Sequence, residues 1–535
     1  MRRRRDGVLA SLGGAGVKGG VLVQESAGSR HGPDDAVSAA NALVARLLRT
    51  IRHELANRIS PELKSADAIE RANFVLSVLQ ILADDVEVLP RAAASVVPGL
   101  RQTLADCLAK AGGIDNACAQ YAAELEAIRT ESGAAVAAEL AALRDLASRV
   151  LRHLADAADA ASSAEQRDVL RASTQVLGRG DADWLAAYES ACATSAGPSS
   201  PASIPAGDAT AIDLVTTAGI TAYLQRRFPA QPSAIATEVV LVPGGRSKKT
   251  YFVRIANAGD LPGELVMRQD YALKYVGTKV VEEYRPLLKL SALGLPVPRP
   301  IHLEPESSEL GPPFMWVSRL AGKPPGSYFG IAVACPGAFR DLAAMLAKLH
   351  CTEPATLGMG VAGGGDPLQA LFGRYQTKWR DNVTCASPVV DFAFAWAMSE
   401  CRRDPPLTTA VHGDAGPHNL LVEGDRLTAV LDWEFAHIGD PAEDLGIARV
   451  YAESFMPWDE FIGVYREAGG PAVPDRRVRL GMLTHYLKGA TLVATSGRNF
   501  REGGTSDFIK GASSFTGLRL IERRITELLK RFGAF

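Results

Sequence analysis

Between residues 34 and 192 the apolar positions recur at helical spacing. Leu43, Leu47, Ile51, Leu55 and Ile59 fall four apart, which aligns them on one helical face. Ala72, Val75, Leu79 and Leu82 repeat at three and four, and Pro90 and Pro98 punctuate the chain beyond this run. Val136, Leu140, Leu143, Ala147, Val150 and Leu154 form another stripe. A further helix is predicted to begin at Ser162, with Glu165 as its capping-box partner. Alanine-rich amphipathic helices joined by short turns predict an all-α bundle over 34–193. This half carries no recognisable chemistry, and His53 and His153, among charged neighbours, read as solvated-face residues.

The period then changes. TSAGPSSPASIPAGD (194–208) is almost uncharged and rich in Ser, Pro, Ala and Gly, so it predicts an interdomain linker. In TEVVLVPGGRSKKTYFVRI (237–255) two β-prone runs flank a Gly-Gly turn, the pattern of a hairpin. GELVMRQD (263–270) predicts a third strand, VEEYRPLLKLSALG (281–294) a helix closed by Gly294, and PFMWVSRLAG (313–322) one more strand. From Asp341 onward the pattern is mostly helical, broken by a polar block at 411–421. The expected fold class is α+β: a strand-rich lobe over 209–322, then a helical lobe over 323–535, preceded by the bundle.

At 535 residues the chain predicts two or three domains, and 47% hydrophobic with 22% charged residues suits a soluble globular protein. A net charge of −2 argues against a general nucleic-acid binder. No window reaches the roughly 18 uninterrupted apolar residues of a membrane span. Arg2–Arg5 head a stretch too glycine-broken for an export signal, so residues 1–33 are expected to be a disordered basic arm. GGAGVKGG within it lacks the Gly-Lys-Ser/Thr ending of a phosphate loop. Seven cysteines without a CxxC pair suit a reducing cytoplasm, and argue against a disulfide framework or a thiolate zinc site.

The polar block is VHGDAGPHNLL (411–421), and a metal site, an acid–base site and a polar turn compete for it. NLLV and RLTAVLDW are apolar runs separated by Glu423-Gly424-Asp425, a hairpin signal. Such a hairpin folds Asp432 back toward Asn419, with Asp414 on the loop leading in. Two carboxylates and an amide oxygen are hard ligands that suit Mg²⁺ shared with substrate phosphates. His412 and His418 stand six apart without a third soft ligand, which disfavours zinc. A lone Asx residue would merely stabilise a turn, but a second carboxylate arriving on a paired strand exceeds that need.

HGDAGPHN followed by LDWE resembles the HGDxxxxN…hDxE signature of the aminoglycoside phosphotransferase family, a branch of the protein-kinase-like fold. The resemblance implies a bilobal fold, ATP and Mg²⁺ as cofactors, and transfer of the γ-phosphoryl group to a small-molecule hydroxyl. It implies Asp414 as catalytic base, Asn419 and Asp432 as metal ligands, and His412 as a brace; His418, at a variable position, receives no role. LDWEFAHIGDPAEDLG (431–446) resembles the phosphotransferase domains fused to certain acyl-CoA dehydrogenases. There Asp440, Pro441 and Glu443 read as a helix start, with Asp440 and Asp444 positioning the helix.

In the strand-rich lobe VPGGRSKKTYFV resembles the family's glycine loop, which implies Gly244, Gly245 and Ser247 near the nucleotide phosphates. Arg268 stands where kinases carry a strand lysine, presenting a planar fork instead of a point charge. Lys274 and Lys279 are alternative cations, Glu283 is the expected helix partner of Arg268, and adjacent Glu282 competes for that part. Ser318, Arg319 and Leu320 would form the hinge facing adenine. The basic SGRNFREGG (496–504) and Lys510 favour an anionic acceptor such as a hydroxyacyl-CoA, although a solvated basic loop reads equally well. Aminoglycoside, sugar, choline-like and homoserine-like acceptors also occur across the family. A pseudokinase-like nucleotide-binding scaffold, with the bundle as an interaction or self-association module, is the competing class.

Overall fold

The computed structural model describes residues 45–63, 66–130, 136–195, 215–242, 248–270, 278–327, 330–359, 364–502 and 508–535. The basic arm (1–33), all but the first two linker residues (194–208), Gly244, Gly245, Ser247 and Lys274 lie outside the described residues.

The N-terminal region is helical. A segment over 45–54 precedes α1 (Ala66–Gly112), α2 (Cys118–Thr130), α3 (Val136–Ala160) and α4 (Ala164–Ser195). Pro90 and Pro98 do not end a helix, because α1 runs through both. An interior proline costs about 3 kcal/mol, and burial of Val88, Ala92, Val97, Leu100 and Leu104 around the two prolines opposes that loss. The stripe on α3 is buried from Leu140 to Leu154 as its spacing predicts. The first stripe turns outward instead: Leu47, Ile51 and Ile59 are each about half exposed. α4 starts later than expected, since it is the Ser163 hydroxyl that accepts from the Gln166 N–H, at 3.1 Å.

α5 (Thr217–Arg227), capped by the Thr216 hydroxyl, leads into a five-stranded antiparallel sheet. Its strands are β1 (Ile235–Val242), β2 (Lys248–Ala256), β3 (Glu264–Asp270), β4 (Pro300–Glu304) and β5 (Phe314–Ser318), in the order β1-β2-β3-β5-β4. The predicted hairpin is β1–β2. β4 escapes the sequence reading because its first residue is a proline, which places it at an edge. α6 (Val280–Ala292) follows β3, and Gly294 at φ +67° closes it as expected. Along the central strands β2, β3 and β5 side chains alternate between the two faces of the sheet. Tyr251, Val253, Leu265, Met267, Phe314 and Trp316 form a core with α5. Met315 and Val317 face the other way and join α6 in the main core.

A short strand pair, β6 (Gly326–Ser327) and β7 (Gly330–Ile331), precedes the helical lobe. That lobe holds α7 (Pro336–His350), α8 (Pro367–Asn382), α9 (Pro388–Cys401), α10 (Ala442–Ala452), α11 (Trp458–Glu467), α12 (Asp475–Arg501) and α13 (Phe508–Arg531). Between α9 and α10 lie β8 (Thr409–Val411), the hairpin β9 (Leu420–Glu423) with β10 (Arg426–Val430), and β11 (His437–Gly439), paired with β8. The main core runs without a break from the N-terminal helices into α9, α12 and α13. At Gly178 a Cβ would stand 2.5 Å from the Phe392 ring, so α4 and α9 approach as closely as only glycine permits. Among the described residues no helix is long and apolar enough to cross a membrane.

Candidate active site

The 412–414 loop is held by backbone hydrogen bonds to one carboxylate. His412 N–H and Gly413 N–H donate to Asp444 Oδ2 and Oδ1, both at 2.8 Å. Gly413 has φ +75°, and a Cβ there would lie 2.8 Å from the Phe435 carbonyl oxygen, so the turn requires glycine. The fully buried His412 ring accepts from the Asp414 N–H through Nδ1, which leaves Nε2–H to donate to Leu431 O at 2.9 Å. Burial pushes its pKa down, in keeping with a neutral brace.

Asp414 is enclosed by partners. Lys488 Nζ donates to Oδ1 at 2.5 Å, while His418 Nε2 and Asn419 Nδ2 lie 3.2 Å from Oδ2. Burial opposes ionisation here, yet the Lys488 charge and the hydrogen bond to His418 hold the carboxyl well below the usual carboxylate range. Asn419 also donates to Asp414 O at 2.9 Å, so its amide nitrogen is spent on the loop and its oxygen is the atom able to ligate a cation. The β9–β10 hairpin brings the next group in as its spacing predicts: Leu431 N–H donates to Asn419 O at 2.7 Å, which sets Asp432 beside Asn419. Asp432 has φ 64° and ψ 65°, a left-handed conformation that costs a non-glycine residue about 1–3 kcal/mol.

Across the cleft, Arg268 Nη2 contacts Asp432 Oδ1 at 2.8 Å and Glu283 Oε2 at 3.2 Å. Glu282 instead caps α6 by accepting from the Lys279 N–H, so Glu283 is the residue beside Arg268. Burial, with Asp432 and Glu434 nearby, pushes the Glu283 carboxyl up despite Arg268. Arg268 Nε is buried without a hydrogen-bond partner among the described residues. Such an orphaned cationic donor fits an anion in the cleft. Asp432 and the Asn419 oxygen fit a Mg²⁺ that keeps waters and takes phosphate oxygens. Among the described residues no three His, Cys, Asp or Glu side chains gather into a cage of their own.

The hinge residues sit at the end of the sheet. Ser318 pairs with Leu265, and its hydroxyl accepts from the Arg299 N–H, while exposed Arg319 lies over the Phe252 ring and beside Glu264; Leu320 follows at half-burial. Asp440 lies away from the cleft. Its Oδ1 accepts from Ala442 N–H at the head of α10, and its Oδ2 meets the fully buried Arg477 at 2.6 Å. In the basic stretch, Arg498 is bonded to Glu502 and to the Asp381 carbonyl, and residues 503–507 lie outside the described residues.

Three groups escape sequence reasoning. Lys488 comes from α12, far along the chain from the loop it touches, and no motif marks it. Asp444 was expected only to position its helix, but both its oxygens hold the loop. Lys248 is buried against Glu434 Oε2 (3.1 Å) and Thr278. A signal for Lys248 existed: β2 pairs Thr250 with Arg268, so period-2 alternation puts Lys248 and Arg268 on one face.

Residues 238–480 match the profile of the APH family, described as the phosphotransferase enzyme family. The matched span covers most of the five-stranded sheet and the helical lobe as far as the start of α12, behind a helical N-terminal region. Among curated relatives, acyl-CoA dehydrogenase family member 10 of Mus musculus is 27% identical over 41% of this chain and 21% of its own length. Viomycin phosphotransferase of Streptomyces vinaceus is 29% identical over 31% of this chain and 59% of its own. The chain thus spans about a fifth of the dehydrogenase relative. A solved choline/ethanolamine kinase family protein from Mesorhizobium loti shares 19% identity over 59% of this chain and 99% of that one, with a TM-score of 0.41.

Proposed function

We propose that the protein is an ATP- and Mg²⁺-dependent phosphotransferase that moves the γ-phosphoryl group to a hydroxyl of a small molecule in the cytoplasm. The observation that carries this reading is the convergence of Asp414, Asn419 and Asp432 on one loop edge, facing Arg268 with its unpartnered Nε. Asn419 and Asp432 would hold Mg²⁺, which when bound offsets phosphate charge. Arg268, kept in the cleft by Glu283, turns its guanidinium from Asp432 to the phosphates. Asp414 is ionised and accepts the hydrogen bond of the acceptor hydroxyl, aligning its oxygen. Rate then comes from alignment and charge neutralisation more than from covalent work.

The acceptor we favour is anionic, hydroxyacyl-CoA-like. Support comes from the similarity to an acyl-CoA dehydrogenase family member. An aminoglycoside- or sugar-type acceptor is the alternative, supported by the similarity to viomycin phosphotransferase. The test is Mg²⁺-dependent ATP consumption across hydroxylated metabolites, with CoA thioesters beside aminoglycosides. Asp414→Ala should lower turnover by about 10²–10⁴-fold while sparing ATP binding. ATP binding without consumption for any acceptor would replace the enzyme reading with that of a nucleotide-binding scaffold.

A further inference from the structure

Lys488 lies on α12 and is only 3% exposed. Its ammonium donates to Asp414 Oδ1 at 2.5 Å and to Gly413 O at 2.9 Å, and stands 4.6 Å from the Phe435 ring centroid. A buried ammonium costs several kcal/mol unless it is paired and hydrogen-bonded, so the loop carboxylate is its counter-ion. The support behind it is rigid. At Gly481 on α12 a Cβ would collide with the Ala442 carbonyl at the start of α10, so the two helices cross backbone to backbone. α10 carries Asp444, which holds the loop's N–H groups. Two helices locked together therefore grip one loop, one by its amides and one by its carboxylate.

The two oxygens of Asp414 differ in access. Oδ1 faces the interior and Lys488. Oδ2 faces His418 and Asn419, and the His418 side chain is 26% exposed. An arriving hydroxyl reaches Oδ2 by displacing the His418 ring from a 3.2 Å contact. Reaching Oδ1 would require pulling a buried ammonium from its counter-ion.

We infer that Lys488 is a positioning residue of the phosphoryl-transfer site: it pins Oδ1 of Asp414 so that Oδ2 is presented to the acceptor hydroxyl. The inference rests on the phosphotransferase reading above, and supplies the geometry that reading needs. The residue works through Asp414, from the oxygen opposite the one offered to the acceptor.

Lys488→Met keeps the chain length and removes the ammonium. The expected result is a fall in kcat of about 10²-fold, the loss that a 1 Å misplacement brings. The KM values for ATP and acceptor should stay within about twofold, and Lys488→Arg should recover about tenfold of the loss by restoring a cation. A merely structural role would move KM and kcat together and show no charge-specific rescue. Turnover of Lys488→Met within about twofold of an active wild type overturns the assignment and leaves the phosphotransferase reading standing. Inactivity of the wild type on every acceptor strikes that reading instead. A crystal structure of Lys488→Met decides the geometry without turnover. The Asp414 carboxylate should rotate off its Oδ1 position, and an unmoved carboxylate overturns the inference. If the Met variant does not fold, the Arg variant serves: its carboxylate should remain pinned, and a displaced carboxylate with undiminished kcat overturns the inference equally.

Discussion

The helical lobe shares one apolar core with both its neighbours but arranges its charges differently against each. Toward the N-terminal helices one apolar core runs through, from Leu104, Leu143 and Val150 to Phe392, Phe394 and Ile525. Charges inside that joint are closed on each other: Arg144 pairs with Asp181 at 2.6 Å and Glu522 at 2.9 Å, while Asp181 also accepts from Val389 N–H. Toward the strand-rich lobe the same core takes in α6, Met315 and Val317, the sheet face against α5 keeps a core of its own, and the ion pairs Arg268–Asp432 and Lys248–Glu434 join the two lobes. Parting the first joint re-exposes apolar area at about 25 cal/mol per Å². In the second, the Arg268 Nε is buried without a partner among the described residues, and on the phosphotransferase reading proposed above phosphates would take the place of Asp432 at its Nη2. The charges of the first joint are closed on each other, whereas those of the second leave an Arg268 nitrogen unpaired among the described residues.

Deleting residues 1–208 attacks the first joint directly and should have the largest effect. The remaining chain would bare α9 and α13, and is expected to be insoluble or to lose its cooperative melting transition. A soluble, active 209–535 fragment would break the comparison. Next in size, Asp181→Ala leaves Arg144 without its closest partner inside the joint and should cost about 3–5 kcal/mol in urea unfolding.

Asp444→Asn should cost about 1.5–3 kcal/mol at neutral pH by weakening charged hydrogen bonds to the loop. Burial opposes ionisation of Asp444, but the hydrogen bond and charge of His350 hold its pKa below the ordinary value. Its contribution is therefore full above the unfolded value of about 3.9, and is lost as pH falls through the lower folded value. Stability of the variant should be flatter than that of the wild type below about pH 4, read as urea midpoint against pH. The smallest effect belongs to the rim of the bundle joint. Arg402 and Asp159 are both roughly half exposed, and Arg402→Ala should shift stability by less than about 0.5 kcal/mol. A larger shift there would mean that the rim, and not the core, holds the bundle.

How far each site residue could be read ahead of the structure depends on the range of its interactions. Asp414, Asn419 and Asp432 are joined by one hairpin, so spacing places them. Glu282 and Glu283 are neighbours that sequence cannot separate; the choice falls to which of them caps α6. Lys488, Asp444 and Arg477 act through helix crossings made by glycines at 446 and 481, for which local periodicity has no signal. Periodicity likewise marks the apolar face of α3 without saying what covers it, which is why the closeness of the bundle to α9 and α13 was not legible. Pro90 and Pro98 misled because tertiary burial outweighed a local rule.

The left-handed backbone of Asp432 has a consequence for evolution in the test tube. Glycine would relax about 1–3 kcal/mol of backbone strain there but take from the largely buried Arg268 its 2.8 Å partner, a loss of about 3–5 kcal/mol. Selection for heat resistance alone would therefore keep the carboxylate, unless position 268 changed with it. Glycine at 432 becomes favourable only in a background where residue 268 is uncharged, so the two positions are expected to change together.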